Sequence, residues 1–401
     1  MSRPLSRRAF LGRSALLGCS AAASPLITPV SLAAAPWDTR VVVIVLRGGM
    51  DGLDAVRPVG DPGFAALRPE AAGEARADLD LEGGFALHPA LSELMPLWHD
   101  GDLGVVHAVS TPYRDKRSHF DGQDILEAGT QSLVPDRSGW LNRMLQHVPG
   151  VAAETAYAVG RGEMKVLMGQ APVADWTPDA ALTLSPQALR LAELVMESDP
   201  AFHAALSEAI DLSHSGGELS GAGESMDSTM RAAARGAQHV KVADFVANRL
   251  RGETRVAAFS LNGWDTHAHQ ARNLGTALGR LSETLLALKT GTGPEVWSRT
   301  AVLAMTEFGR TARMNGTGGT DHGTGGAMFL AGGALRGGRV LGHWPGLAEV
   351  DLYDRRDLRP TGDVRAPVAW VLGMATGLDR ATLEQMVFPG LDMGPNAGDL
   401  F

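Results

Sequence analysis

Three short segments of the sequence combine histidine with aspartate in a pattern that suits metal binding. Asn262–His269 reads NGWDTHAH, Thr320–Gly326 reads TDHGTGG and Arg117–Asp121 reads RSHFD. Carboxylate oxygens and neutral imidazole nitrogens are the donors that hold zinc and related divalent ions where cysteine is absent. One such segment alone is weak support, because Asp-x-His also occurs as an ordinary side-chain hydrogen bond. Three of them together predict a metal site.

Two acidic residues in other loops extend this set. Asp51 lies in a glycine-rich loop after the apolar run Arg40–Leu46, and Glu307 follows the run Thr300–Thr306. Both follow stretches that predict strands, as Asp265 does. The candidate metal ligands are Asp51, Asp265, His267, His269, Glu307 and His322.

The candidate residues lie next to stretches that predict buried β-strands. Arg40–Leu46 is a continuous β-branched run, which is typical of a strand buried on both faces in a parallel sheet. The loops that follow parallel strands open at one edge, where open α/β sheets bind their ligands. Further strands are predicted at Leu103–Val109, Ala156–Gly160, Arg255–Leu261, Thr300–Thr306 and Ala327–Leu330.

Helical patterns alternate with these strands. The longest apolar stripe runs from Leu274 to Leu288 with spacings of four and three residues, as in a helix packed on a sheet. Strand and helix alternation predicts an α/β fold, a three-layer α/β/α sandwich with a mostly parallel central sheet. Residues 36–401 are interpreted as one domain with loop insertions, including a surface excursion at 57–84 and a Ser/Gly-rich loop at 211–228. The other predicted helices are Pro89–Trp98, Ser138–His147, Pro186–Glu197, Pro200–Leu212 and Met226–Val240.

Composition excludes several classes of protein. The chain has 401 residues, a formal net charge of −9 and one cysteine, Cys19. The acidic balance argues against a nucleic-acid partner. A single cysteine excludes an intrachain disulfide framework and a cysteine-ligated zinc site. A metal must therefore be held by histidine, carboxylate, hydroxyl or water.

The first 35 residues predict an export signal. Arg7 and Arg8 stand in the sequence SRRAFL, a mildly apolar stretch runs on to Ile27, and three alanines end at Ala35. This layout is typical of a twin-arginine signal peptide cleaved near Ala35. Lipid attachment at Cys19 is the alternative. We expect a periplasmic or secreted protein that meets the membrane only through the export machinery.

Five motifs in this order, together with the export signal, resemble the domain of unknown function 1501 family. They are LRGGMDGL at 46–53, RSHF at 117–120, GWDTH at 263–267, TEFGRT at 306–311 and TDHG at 320–323. The resemblance covers nearly the whole chain after the signal. It implies the alkaline phosphatase-like α/β/α fold, because that family looks like a divergent branch of the alkaline phosphatase and sulfatase superfamily.

The resemblance also implies roles for the candidate residues. Asp51 resembles the first metal-binding aspartate of the superfamily, and Ser118 stands where its nucleophile would be. Asp265 and His267 resemble the aspartate and histidine of the first metal, although His269 has the more usual spacing.

Two departures from the superfamily pattern affect the metal site. Glu307 stands where an aspartate is expected, and Phe308 replaces a histidine ligand, unless His119 supplies one instead. His322 resembles the final histidine. The resemblance therefore implies a divalent metal, either zinc or alternatively manganese or calcium, as one or two ions.

The expected function is an exported, metal-dependent hydrolase of phosphate or sulfate esters with Ser118 as nucleophile. His119 would act beside it, and Arg117 and Arg310 would hold the oxyanion through planar bidentate contacts. The substrate would be a small-molecule or glycan ester. The alternative is a non-catalytic exported binding protein with a degenerate or structural metal site, which the missing histidine at Phe308 motivates. Metal-free acyl hydrolysis is a third hypothesis, although the chain has no Gly-x-Ser-x-Gly motif.

Overall fold

A computed structural model describes residues 37–74, 79–114, 117–134, 138–160, 164–178 and 238–395 of the chain. The predicted signal peptide, the predicted helices Pro186–Glu197 and Pro200–Leu212, most of the predicted helix Met226–Val240 and the Ser/Gly-rich stretch 211–228 lie outside these residues. Among the helices of the described ranges, none combines the length and the apolar character that crossing a bilayer requires.

One large sheet organises the described part of the chain. Eight of its nine strands pair in the order β11-β5-β10-β9-β1-β8-β6-β7, and the ninth, β12, pairs with β5. Strand β10 is antiparallel to both neighbours, and the other pairs are parallel, so the predicted mostly parallel sheet is confirmed. The remaining strands form the small sheet β2-β4-β3. The strands are β1 (Arg40–Arg47), β2 (Val56–Arg57), β3 (Asp80–Leu81), β4 (Phe85–Leu87), β5 (Leu103–Ser110), β6 (Ala156–Val159), β7 (Ala174–Trp176), β8 (Val256–Asn262), β9 (Thr300–Met305), β10 (Gly326–Ala331), β11 (Val340–Leu341) and β12 (Gly362–Asp363).

Helices cover both faces of this sheet. In β1, Val41 and Val43 belong to one hydrophobic core, to which α6 (Trp140–Gln146) and α9 (Arg365–Thr376) contribute. Val42 and Ile44 face the other way and belong to a second core with α7 (Gln238–Leu250) and α8 (Gln270–Trp297). Burial on both faces explains the uninterrupted β-branched run of β1. The predicted α/β class is confirmed. The α-helices of the described residues are α1 (Gly52–Ala55), α2 (Pro62–Leu67), α3 (Pro69–Gly73), α4 (Met95–His99), α5 (His119–Ala128), α6 (Trp140–Gln146), α7 (Gln238–Leu250), α8 (Gln270–Trp297), α9 (Arg365–Thr376) and α10 (Arg380–Thr382).

The strand directions gather the candidate loops at one edge of the sheet. Strand β1 pairs in parallel with β8 and β9, so the loops that carry Asp51, Asp265 and Glu307 leave the sheet at the same edge. Because β10 is antiparallel to both β5 and β9, β5 also ends there, and the segment that leads to His119 follows it. Strand β10 begins at this edge, which brings in His322 just before it.

The predicted surface excursion at 57–84 is wrong for Arg57 and Arg68. Arg57 and Arg68 are each 1% exposed. Arg68 Nη2 donates hydrogen bonds to Asp51 Oδ2 at 2.9 Å and to the Thr311 carbonyl oxygen at 2.8 Å. A buried guanidinium is stable only with such partners. The segment containing α2, α3, β3 and β4 therefore packs against the loops at the site edge.

A buried histidine in β5 links the fold to pH. His107 Nε2 donates to the Val56 carbonyl oxygen at 3.0 Å, and its Nδ1 accepts the Ala108 N–H at 2.9 Å. Burial lowers the pKa of His107 to about 4, because the charged imidazolium would lose its hydration. The folded protein therefore holds this side chain neutral.

We predict a loss of stability through His107 as the pH falls from about 6.5 to about 4. In that window the unfolded chain binds a proton that the folded chain does not, so the free energy of unfolding decreases on acidification. His107 should account for about 2 kcal/mol of the loss between pH 7 and pH 5. Urea titrations at both pH values should show that a His107→Gln variant, although less stable at pH 7, loses about 2 kcal/mol less on acidification. Equal losses in the two proteins would contradict this.

Candidate metal centre

Three side chains from different segments converge at the site edge and are called the cluster below. His119 is the first residue of α5, Asp265 follows β8 and His322 precedes β10. One donor atom of each lies within 4.8 Å of those of the other two. His119 Nε2 lies 3.5 Å from Asp265 Oδ2, and His322 Nε2 lies 3.4 Å from Asp265 Oδ1. Two imidazoles and a carboxylate form a donor set typical of divalent zinc.

Outer hydrogen bonds aim both cluster imidazoles at a common point. His119 Nδ1 lies 2.8 Å from Glu307 Oε1, and His322 Nδ1 lies 2.7 Å from the Arg117 carbonyl oxygen. Because a carbonyl or carboxylate oxygen accepts, each Nδ1 carries the proton and each Nε2 presents a lone pair to the cluster. The buried His119 Nε2 has no hydrogen-bond partner. This arrangement is typical of histidine metal ligands, whose outer nitrogen is held by an acceptor.

A third imidazole adjoins the cluster. His267 Nε2 lies 2.9 Å from His322 Nε2 and 3.1 Å from Asp265 Oδ1, while its Nδ1 lies 3.1 Å from Asp321 Oδ1. The Nδ1 atoms of His267 and His322 are both bonded to oxygen, so each Nε2 carries a lone pair. These two lone pairs face each other at 2.9 Å, which is favourable only with a proton or a cation between them. Tetrahedral zinc with bonds of about 2.0–2.1 Å places its donors roughly 3.3 Å apart. The residues therefore fit a divalent ion.

Arg310 favours the ionised form of Asp265, and burial favours the neutral form of His322. Burial works against ionisation of Asp265, but the hydrogen bond and charge of Arg310 hold its pKa below the ordinary value. Burial lowers the pKa of His322. The hydrogen bond to Glu307 raises the pKa of His119. A metal ion that binds His119 must therefore compete with a proton for Nε2 more strongly than at an ordinary histidine.

Arg310, which was expected to hold an oxyanion, instead holds the loops of the site together. It is 1% exposed. Its Nε donates to the Gly49 carbonyl oxygen at 2.7 Å, its Nη1 to the Thr320 carbonyl oxygen at 3.1 Å, and its Nη2 to the Gly48 carbonyl oxygen at 2.7 Å. Nη2 also donates to Asp265 Oδ1. The guanidinium therefore fixes Asp265 and has no face open to a substrate.

Glu307 lies behind His119 rather than among the cluster donors. Its Oε1 accepts from the Gly48 N–H at 3.0 Å and from Gln123 Nε2 at 3.1 Å, and its Oε2 accepts from Thr306 Oγ1 at 3.0 Å. Burial would raise the pKa of Glu307, but these bonds, led by the one from His119, hold the pKa below its ordinary value. The residue expected as a ligand is thus an ionised acceptor that orients a ligand.

Asp51 and His269 have no hydrogen bond or ion pair to the cluster among the described residues. Asp51 is 1% exposed, and its Oδ2 accepts from Arg68 Nη2 at 2.9 Å and from Gln270 Nε2 at 2.8 Å. His269 precedes α8 with a φ of 50° and lines a separate cavity. Of the two histidines on this loop, the structure brings His267 to the cluster.

Phe308 forms an aromatic wall beside the cluster. Its ring is buried, with centroids 5.0 Å from the ring of His119 and 5.1 Å from that of His322. It supplies no donor where the resemblance leads one to expect an imidazole. His119 stands in the cluster, as the sequence analysis allowed.

Ser118 lies between two residues that shape the cluster. It caps the N-terminus of α5, and its Oγ accepts the Asp121 N–H over a long 3.4 Å. The preceding residue, Arg117, has a φ of 52°, and its carbonyl oxygen holds His322. The following residue is His119 itself. The hydroxyl of the residue before a cluster donor therefore caps α5 and also contacts the Tyr113 hydroxyl.

Sequence reasoning missed outer residues that orient the histidines. Asp321 accepts from His267, and Asn315 Nδ2 donates to the same carboxylate at 3.1 Å, which lowers the pKa of Asp321. The position of Asp321 directly before His322 is a sequence signal for this role. No sequence signal pointed to Gln123, because only the geometry of α5 brings it to Glu307, the acceptor behind His119.

The chain belongs to the family described as "Protein of unknown function (DUF1501)", whose model matches residues 114–387. The match includes every residue of the cluster. Among solved structures, the C-terminal periplasmic domain of EcEptC from Escherichia coli, a complex with Zn, is similar over 89% of this chain and 89% of that chain, at 11% identity and a TM-score of 0.34. No curated protein matches the chain.

We predict that Glu307→Gln weakens zinc binding by about 10- to 100-fold without preventing folding, because an amide orients His119 but does not provide a charged acceptor. Competition titration against a chelator of known affinity measures the change, and thermal unfolding of metal-free protein checks the fold. Unchanged zinc affinity in a folded variant would contradict the role given to Glu307.

The two loop histidines provide a matched pair. His267→Ala should weaken zinc binding at least about tenfold, because it removes a nitrogen next to the cluster. His269→Ala should leave zinc binding unchanged, since this residue lines the other cavity. The same titration on both variants decides between them, and the reverse order of effects would refute the placement.

Proposed function

We propose that the protein is a metal-dependent hydrolase of phosphate or sulfate esters in which Ser118 is the nucleophile. The observation that carries this proposal is the position of Ser118. It directly precedes the cluster donor His119 and directly follows Arg117, whose carbonyl oxygen orients a second donor, His322. An oxyanion held at the cluster would thus lie beside a serine hydroxyl at the N-terminus of a ten-residue helix.

The N-terminus of α5 favours an anionic substrate. The first N–H groups of a helix point outward, and the helix dipole adds partial positive charge there. Arg117 adds a guanidinium at the same place. Its side chain is 30% exposed, its Nε has no hydrogen-bond partner, and its Nη2 reaches Asp357 Oδ2 only at 3.4 Å. Of the two arginines expected to hold the oxyanion, Arg117 is the one able to do so.

The chemical steps follow from these groups. A divalent ion held by His119, Asp265 and His322, with His267 beside them, would polarise a non-bridging oxygen and lower the pKa of the serine hydroxyl. Ser118 Oγ then bonds to phosphorus or sulfur as the bond to the alcohol oxygen breaks, and the alcohol leaves with a proton. Water then attacks the resulting serine ester, which releases inorganic phosphate or sulfate and regenerates the serine hydroxyl.

The resemblance to the alkaline phosphatase and sulfatase superfamily supports the same chemistry. The absence of a ligand at Phe308, and the position of Glu307 behind His119, favour one ion, with zinc first and manganese or calcium as alternatives. We further propose that the chain is exported by the twin-arginine route and acts on a small-molecule or glycan ester outside the cytoplasm.

Substitution of Ser118 tests the proposal. Ser118→Ala should reduce turnover of aryl phosphates and aryl sulfates by at least about a thousandfold, with the metal content unchanged, because the attacking oxygen is gone. Ser118→Asn is the matched control for helix capping, since asparagine is an equally good N-cap residue. It should be as inactive as the alanine variant.

Initial rates and elemental analysis of the zinc-loaded proteins give the result. A folded Ser118→Asn variant with wild-type turnover would exclude the nucleophilic role and leave only a capping role. Stoichiometric zinc with no turnover of either ester class by the wild type would instead support a non-catalytic binding protein.

A further inference from the structure

We propose that a second cavity, separate from the cluster, binds a small organic anion. The cavity has a volume of about 700 Å³ and lies between α3, the start of α8 and the loop around Asn315. That size suits a small-molecule ligand. None of its lining residues belongs to the cluster, so the inference does not depend on the proposed hydrolase activity.

Two unpaired cations stand at the cavity. Arg272 and Arg313 line it and are exposed, and their side chains have no hydrogen bond or ion pair within the described part of the chain. Two of the three carboxylates of the lining share one guanidinium. Arg57 binds Asp54 Oδ1 through its Nε and Glu74 Oε2 through its Nη2, each at 3.0 Å.

Glu70 is the remaining carboxylate of the lining, and it is exposed. Four arginines and three carboxylates line the cavity, and Asp51 outside the lining pairs with Arg68, so the charges balance. What favours an anion is that Arg272 and Arg313 have side chains without a partner among the described residues. Guanidinium groups bind carboxylates and phosphates through paired N–H donors. The free charges of the cavity therefore select an anion.

A buried arginine supplies a further donor. Arg68 lines the cavity, is 1% exposed, and uses Nε for the Ala312 carbonyl oxygen at 2.8 Å and Nη2 for Asp51 at 2.9 Å. Its Nη1 has no hydrogen-bond partner. A buried N–H without an acceptor is unfavourable, and more so in a charged group. An oxyanion in the cavity would provide the acceptor that Arg68 lacks.

His88 offers a second buried donor. Its Nδ1 accepts the Ala90 N–H at 3.0 Å, so in the neutral ring the proton is on Nε2. The side chain lines the cavity and is 6% exposed. The cavity thus combines inner donors with cations at its mouth, which is the polarity that an anionic head group requires.

Apolar side chains make up much of the remaining lining. Leu67, Pro69, Ala71 and Met314 face the same space. They offer nothing to an inorganic ion, but they would bury a short hydrocarbon or aryl group. We therefore assign the cavity to an organic phosphate or carboxylate rather than to a bare oxyanion.

The cavity also shares a wall with the candidate metal centre. Asn315 lines the cavity, and its Nδ2 donates to the His267 carbonyl oxygen at 2.9 Å and to Asp321 Oδ1 at 3.1 Å. The first acceptor is the backbone of His267 itself, and the second is the carboxylate that holds the His267 ring. The two sites are therefore neighbours with separate donor sets, and the test must distinguish them.

Calorimetric titration of the full chain with phenylphosphonate, benzoate and inorganic phosphate tests the assignment, with zinc-loaded and chelator-treated protein in parallel. Phenylphosphonate or benzoate should bind more tightly than inorganic phosphate, with or without zinc. The double variant Arg272→Ala, Arg313→Ala should bind at least about tenfold more weakly, since two charge-assisted contacts are lost. Arg336→Ala removes an exposed arginine at the opposite edge of the sheet and should bind like the wild type.

Three results would overturn the proposal. They are equal affinity in the double variant and the wild type, binding that requires zinc or disappears in His322→Ala, and inorganic phosphate binding as tightly as phenylphosphonate. The second result would place the anion at the cluster, so a failure of the cavity assignment is distinguishable from a failure of the hydrolase proposal.

Discussion

The buried guanidinium of Arg310 is the contact on which the geometry of the candidate site depends. It donates to backbone carbonyl oxygens in the loop after β1, at Trp264 after β8, and at Thr320 before β10, and it also binds the Asp265 carboxylate. A buried cation must be fully paired, and the loss of one partner of such a network costs about 3–5 kcal/mol. The loops that deliver Asp265 and His322 are therefore constrained to meet at one place.

Glycine makes this close meeting of loops possible. Gly48 has a φ of 126°, and a Cβ there would lie 2.6 Å from the Asp265 backbone nitrogen. A Cβ on Gly323 would lie 2.3 Å from the Arg310 carbonyl carbon. Larger residues would push the loops away from the guanidinium. The glycine-rich motifs are thus explained by backbone packing around Arg310, and the metal donors depend on that packing.

The sequence predicts the sheet and the site edge well, because both rest on local signals. Burial on two faces requires the β-branched run of β1, and parallel pairing then places Asp265 and the loop after β9 at one edge. The sequence does not predict which donor of a motif faces the ion. His269 has the more usual spacing, yet His267 is the histidine at the cluster, and the chain turns at His269 with a φ of 50°. Asp51 is paired with Arg68 and therefore does not face the cluster. Arg68 comes from a segment with no apolar pattern, so the sequence does not reveal this ion pair.

We propose that His119, Asp265 and His322 together hold one divalent ion. Anomalous diffraction at the zinc edge, from crystals of the zinc-loaded protein, locates that ion. We predict an anomalous peak at about 2.0–2.2 Å from His119 Nε2, His322 Nε2 and an oxygen of Asp265. A zinc peak at Asp51 with none at the cluster, or no ordered zinc in a saturated protein, would contradict it.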